Sequence, residues 1–182
     1  SQLYFSDWVG AGFAFAGNDK PVSRIFTAKL KDYKAPKTPN LKTASDAELI
    51  KHLTGESSTI RLHAQQYLLQ KKLSPQTIEQ LTKACLNKKL SVNARTAILF
   101  TLKQALGEAS HDTCKKLLAD SSMREMALKA LTDRKTQMTS VTPELITPYL
   151  KDADPKVRLQ AFISLRRLNK FSTSASNAII DA

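Results

Sequence analysis

The chain has 182 residues, with 28 Lys and Arg against 16 Asp and Glu, a formal charge of 28 − 16 = +12, and an apolar share of 42%. That length suits one ordinary domain or a short repeat array with an appendage, and the composition is that of a folded chain rather than a linker. Two cysteines are too few for a disulfide framework, no run of ~18 apolar residues offers a membrane span, and no basic and apolar leader opens the sequence. It starts at Ser1 without an initiator Met, which reads as an excised or processed piece.

Seven of the twelve aromatic residues and three of the five glycines fall within the first 33 positions. Leu3-Tyr4-Phe5 and Val22–Ala28 read as short strands rich in aromatic and β-branched residues. Gly17-Asn18-Asp19-Lys20-Pro21 is a turn signal between them. Residues 1–30 are therefore expected to form a β-hairpin with a long apolar connection. Such a hairpin is marginal alone in water and calls for more strands or a packing partner. Residues 31–44 carry spaced Pro and Lys and read as an extended linker.

From Ser45 onward the pattern is helical and internally repeated. Four segments share an apolar residue, Arg, then apolar or small residues three and seven places on. They centre on Arg61, Arg95, Arg124 and Arg158, spaced 34, 29 and 34 apart. Those positions share one helical face. Each such helix follows another amphipathic one, expected at Ser45–Thr54, Ser74–Lys88, Ser110–Ala119 and Thr142–Lys151. Ser45 with Glu48 matches a capping box, and Ser74-Pro75 and Thr142-Pro143 match an N-cap followed by a first-turn proline. The repeats fall at about 45–73, 74–109, 110–141 and 142–173, and residues 174–182 read as the start of a truncated fifth.

The pattern resembles the HEAT-repeat family, most closely at Thr142-Pro143-Glu144-Leu145-Ile146-Thr147-Pro148-Tyr149-Leu150-Lys151-Asp152-Ala153-Asp154-Pro155-Lys156-Val157-Arg158. The fold class expected is mainly α: a short right-handed α-solenoid of about four HEAT-like helix pairs. The N-terminal hairpin, Leu3–Trp8 with Ser23–Phe26, looks like the tail of a β-propeller. Hairpin, linker and helical start together are similar to a junction in large bacterial membrane-bound dehydrogenases. There a glucose/sorbosone-dehydrogenase-like propeller precedes HEAT-like repeats, and often a c-type cytochrome domain follows. The resemblance implies a periplasmic or cell-envelope protein whose catalytic residues lie outside this segment. A neighbouring propeller or electron-transfer domain would be its partner.

The candidate site residues have plain readings beside the chemical ones. The arginine ladder (Arg61, Arg95, Arg124, Arg158) could bind phosphates or carboxylates, but a fixed position at the edge of each apolar face points to structure, with Asp120 and Asp154 as available partners. Residues 45–182 hold 21 Lys and Arg against 13 Asp and Glu, a charge of +8. Their doublets include Lys71-Lys72, Lys115-Lys116 and Arg166-Arg167, near expected helix C-termini where cations suit the helix dipole. A basic concave face could track a nucleic-acid backbone, as in HEAT-like DNA glycosylases. Against that, Tyr67, Phe100, Tyr149 and Phe162 sit at expected core positions and leave no aromatic base pocket. Trp8, Phe13 and Phe15 are candidate contact residues toward the first helix pair or another copy. Cys85 and Cys114, 29 apart, occupy equivalent repeat positions and read as buried free thiols. His52, His63 and His111 lack metal-ligand spacing, no Cys-x-x-Cys-His attaches a haem, and no catalytic constellation or cofactor motif is found. The expected role is a non-catalytic scaffold or protein-interaction module; the alternative is a basic nucleic-acid-binding module.

The expected core is Leu49, Ile50, Leu53, Ile60, Ala64, Leu68, Leu81, Ile98, Leu102, Leu117, Ala127, Leu131, Ile146, Leu150, Val157, Ala161 and Leu165.

Overall fold

Serine hydroxyls start the first four helices. In each, the Ser before the helix accepts a backbone N–H three residues on, which satisfies one of the donors that a helix start leaves open, an effect worth about 1 kcal/mol per cap. The caps are Ser45, Ser57, Ser74 and Ser91, opening α1 (Asp46–Leu53), α2 (Ser58–Leu69), α3 (Pro75–Leu86) and α4 (Val92–Leu106). The Ser45–Glu48 capping box is complete, with Ser45 N donating to Glu48 Oε2 at 2.8 Å and Glu48 N to Ser45 Oγ at 3.3 Å. The remaining helices are α5 (His111–Leu117), α6 (Arg124–Leu131), α7 (Pro143–Ile146) and α8 (Pro155–Leu168). The computed structural model describes residues 2–7, 24–29, 31–32 and 37–168.

The chain divides into two units, Ser1–Pro39 and Asn40–Ala182. In the first, β1 (Gln2–Asp7) pairs antiparallel with β2 (Arg24–Lys29), with Tyr4 opposite Thr27 and Phe5 opposite Phe26. The second strand runs to Lys29, one residue past the expected Ala28, and the expected strand residues Val22 and Ser23 lie outside the described residues. Leu3, Tyr4 and Phe26 are exposed. The expected turn at Gly17–Pro21 and the contacts expected of Trp8, Phe13 and Phe15 lie outside the described residues. So does the truncated fifth repeat at 174–182.

In the second unit the helices pack in chain order as pairs: α1 on α2, α3 on α4, α5 on α6, and α7 with the following turn on α8. The second helices also form a row, α2 against α4, α4 against α6 and α6 against α8, while α1 meets α3 and α3 meets α5. One continuous core runs through these packings, from Leu41 and Leu49 to Leu165 and Leu168. Fifteen of the seventeen expected core residues belong to it, and the other two, Ile50 and Ile60, are partly buried and pack against it. It also takes in Leu99, Met123 and Leu128, each fully buried and outside the expected set.

Several boundaries differ for identifiable reasons. Residues 40–44 are not linker: Leu41–Thr43 forms a 3-10 turn whose Leu41 is buried beside α2. The Ser110 helix is preceded by a second 3-10 turn at Gly107–Ser110, begun by Gly107 at φ +58, a left-handed backbone that favours glycine. The expected helix Thr142–Lys151 breaks after Ile146 into a 3-10 turn over Thr147–Lys151. Pro148 explains it, since it has no N–H to donate and its ring crowds the preceding turn. Thr142 makes no side-chain cap bond, contrary to the N-cap expectation. Among the described residues no helix is long and apolar enough to cross a membrane.

Candidate functional site

The four ladder arginines sit in the first turn of each second helix and turn back toward the loop before it. Arg61 donates to the carbonyls of Gly55 and Glu56 at 2.7 and 2.6 Å. Arg158 does the same to Asp152 and Ala153 at 2.8 and 3.0 Å. Arg95 Nε reaches the Cys85 carbonyl and Arg124 Nε the Leu118 carbonyl, both at 2.8 Å. Each guanidinium therefore ties down carbonyls that end or follow the first helix of its own pair.

Arg95 and Arg124 also reach forward into the next pair. Arg95 donates to Asp120 Oδ2 at 2.7 Å and to Ser122 Oγ at 3.3 Å; its side chain is 3% exposed. Arg124 is bonded to Asp152 and lies 5.7 Å over the Tyr149 ring. Both aspartates use their second oxygen to shape their own turn: Asp120 accepts from Ser122 N, and Asp152 from Asp154 N. Burial pushes the Asp120 carboxyl up, but the hydrogen bonds from Arg95 and Ser122 outweigh it, and the net shift is below the usual range. Asp152 is held low first by the Asp154 N–H, with Arg124 adding to it. Asp154, expected as an arginine partner, instead accepts Lys156 N at the start of α8. Its spacing to Arg158 suits a helix cap, and the Asp two residues earlier faces the neighbouring pair.

The basic candidates divide. Lys71 bonds Asp46 Oδ1 at 3.1 Å, and Thr77 Oγ1 donates to the other oxygen of that carboxylate. Arg167 donates to the Thr132 carbonyl at 2.6 Å and to that of Asp133. Lys72, Lys115, Lys116 and Arg166 are exposed. Of the four aromatics expected in the core, Tyr67, Phe100 and Tyr149 are partly buried, whereas Phe162 is 45% exposed. Its position on α8 faces outward, because no later helix among the described residues packs there.

The sequence reading missed a buried polar chain. Lys103 Nζ lies 2.7 Å from His111 Nε2, and His111 Nδ1 lies 2.9 Å from Ser140 Oγ; Lys103 and His111 are each 2% exposed. With the ammonium donating to Nε2, the imidazole proton sits on Nδ1 and is donated to Ser140. Burial pushes both basic groups below their ordinary values, and the Lys103 charge lowers His111 further. This polarity is the reverse of a nucleophile–base pair, in which the imidazole takes the hydroxyl proton. The signal was present: Lys103 stands eight residues after Arg95, one helical turn beyond Leu99 on the stripe that faces the next pair.

Cys85 and Cys114 are free and buried. Among the described residues no three His, Cys, Asp or Glu side chains stand together as a metal site. The chain matches no protein-family model and no curated protein sequence.

Proposed function

We propose that residues 45–173 form a short right-handed α-solenoid of four HEAT-like pairs, acting without catalysis as a scaffold that holds protein partners in fixed geometry. The observation that carries this reading is the forward tie from one pair to the next, Arg95 to Asp120 and Arg124 to Asp152. A tie from the second helix of one pair to the inter-helix turn of the following one suits a one-dimensional stack in which each unit contacts its neighbours. Guanidiniums engaged in this way are not available to clamp a ligand. The exposed Leu3, Tyr4 and Phe26 of the strand pair support its reading as a propeller tail. On that reading the segment belongs to a bacterial membrane-bound dehydrogenase, its partners are the propeller or an electron-transfer domain, and its compartment is the periplasm or cell envelope.

The second reading, nucleic-acid binding, is favoured by the charge of +12 and by exposed lysines such as Lys72, Lys115 and Lys116. Fluorescence anisotropy with labelled single- and double-stranded DNA at ~50 and ~200 mM salt separates the two. Binding through several phosphates weakens by orders of magnitude over that range. The scaffold reading expects no binding, or weak binding confined to low salt. A dissociation constant at or below about 1 μM in ~200 mM salt would reverse the order of the two readings.

A further inference from the structure

The row of second helices shows what each face is used for. Counting from the ladder arginine, the residues four and eight places on are Leu99 and Lys103 in α4, and Leu128 in α6 with Thr132 just past its end; all four are at most 2% exposed, while the equivalents in α2, Gln65 and Leu69, are half-buried. Each of these helices packs against the next second helix. The equivalents in α8 are Phe162, 45% exposed, and Arg166, also exposed. The arginines follow the same division. Arg95 and Arg124 each bond a carboxylate in the following pair, while among the described residues Arg158 bonds only the carbonyls of its own turn. A groove of about 720 Å³ beside this face has Met138, Phe162 and Ile163 as its apolar part and Lys135, Arg166 and Arg167 as its cationic part.

We infer that the outer face of α8 is a docking surface for one further helix pair of this kind. Its second helix would cover Phe162, and its inter-helix turn would carry an aspartate for Arg158. The proposal rests on the stacked-pair reading and names the partner that reading leaves open. Continuity with the α4–α6 and α6–α8 packings sets the geometry. The cations around the groove require acidic or carbonyl acceptors on the incoming pair, since an unpaired buried charge would oppose docking.

Two substitutions in the 182-residue chain separate the proposal from its premise, read by thermal melting. Leu128→Asp should lower the melting temperature by ~10 °C or more, or abolish the transition, because it buries a charge between α6 and α8. Phe162→Asp should shift it by less than ~2 °C, as expected at an unoccupied face. A tolerated Leu128→Asp removes the stacked-pair premise. A Phe162→Asp loss as large as that of Leu128→Asp means the face is already filled within the chain, and overturns the docking surface alone. Occupancy is then tested in a chain of residues 1–168 followed by a second copy of residues 135–168, which keeps Arg166, Arg167 and Leu168 in place. The copied aspartate falls at position 168 + 18 = 186, which is 28 residues after Arg158, the same separation as Arg124 and Asp152. This chain should melt ~5 °C or more above the original, and Phe162→Asp should remove the gain. A chain that melts no higher, or a gain that survives Phe162→Asp, overturns the proposal.

Discussion

Cys85 and Cys114 are fully buried, and desolvation of the charged form pushes their thiols up to about 12 and about 11 despite the nearby Arg95 and Lys103 cations. Only the thiolate reacts readily with alkylating reagents. At pH ~8 in native buffer neither cysteine should react with a maleimide in the first minutes, and both should react in concentrated urea. A thiol that titrates rapidly in native buffer would contradict the burial. Burial at these positions was legible in the sequence, because the repeat spacing sets the two cysteines in equivalent places. The partner of Arg124 was not. Asp152 and Asp154 both lie in the turn before α8, and choosing between them requires knowing which carboxylate faces the preceding pair and which caps its own helix.

The Gly107–Ser110 turn with the first residue of α5, and the loop from Thr132 to Val141, are joined by three side-chain contacts. Glu108 accepts from Thr139 N and Oγ1 at 2.7 and 2.8 Å, His111 bonds Ser140, and the Gln137 amide packs against Gly107. Lys103 on α4 holds His111 from below, and Glu108, Asp112, Cys114, Lys115, Asp133 and Arg134 complete the charged and titratable surroundings of this pair. The sign of the pH effect follows from the depressed His111. The unfolded chain takes up the imidazole proton near 6.5 while the folded chain does not, so stability is retained above that value and falls as pH drops through it. The carboxylates held low, Asp46, Asp120 and Asp152, lose their contribution only in more acid solution, near and below the ordinary carboxylate range. The urea midpoint should therefore fall between pH ~8 and ~5.5, and His111→Gln should flatten that fall. An equal slope in the variant would show that His111 does not carry the effect. The element pattern itself was readable, since Ser and Pro start signals and a 3.6-residue apolar period are local. The break at Pro148 and the turn at Gly107 depend on single residues that override the period.

Across the described helices of the second unit the same relation recurs: a second helix packs on the next second helix, and an arginine crosses to the next turn where that turn holds an aspartate. The arginine spacing and the core stripe could be read from the sequence because they repeat. What could not be read is the part that differs from pair to pair, such as the Lys103–His111 chain, the outward Phe162, and the absence of an acid in the turn after α3, where Asn87-Lys88-Lys89 stand in place of Asp120 or Asp152. The central claim is that Arg95 and Arg124 join neighbouring pairs rather than wait for a ligand. A double-mutant cycle on Arg95 and Asp120, with Arg95→Met, Asp120→Asn and the double variant unfolded in urea, tests it most directly. Each single change strands a buried charge and should cost about 3–5 kcal/mol. The double change should cost clearly less than their sum, a coupling of about 1–3 kcal/mol. Single losses below about 0.5 kcal/mol that simply add would mean that the pair does not hold the helices together, and would return the arginines to the search for a ligand.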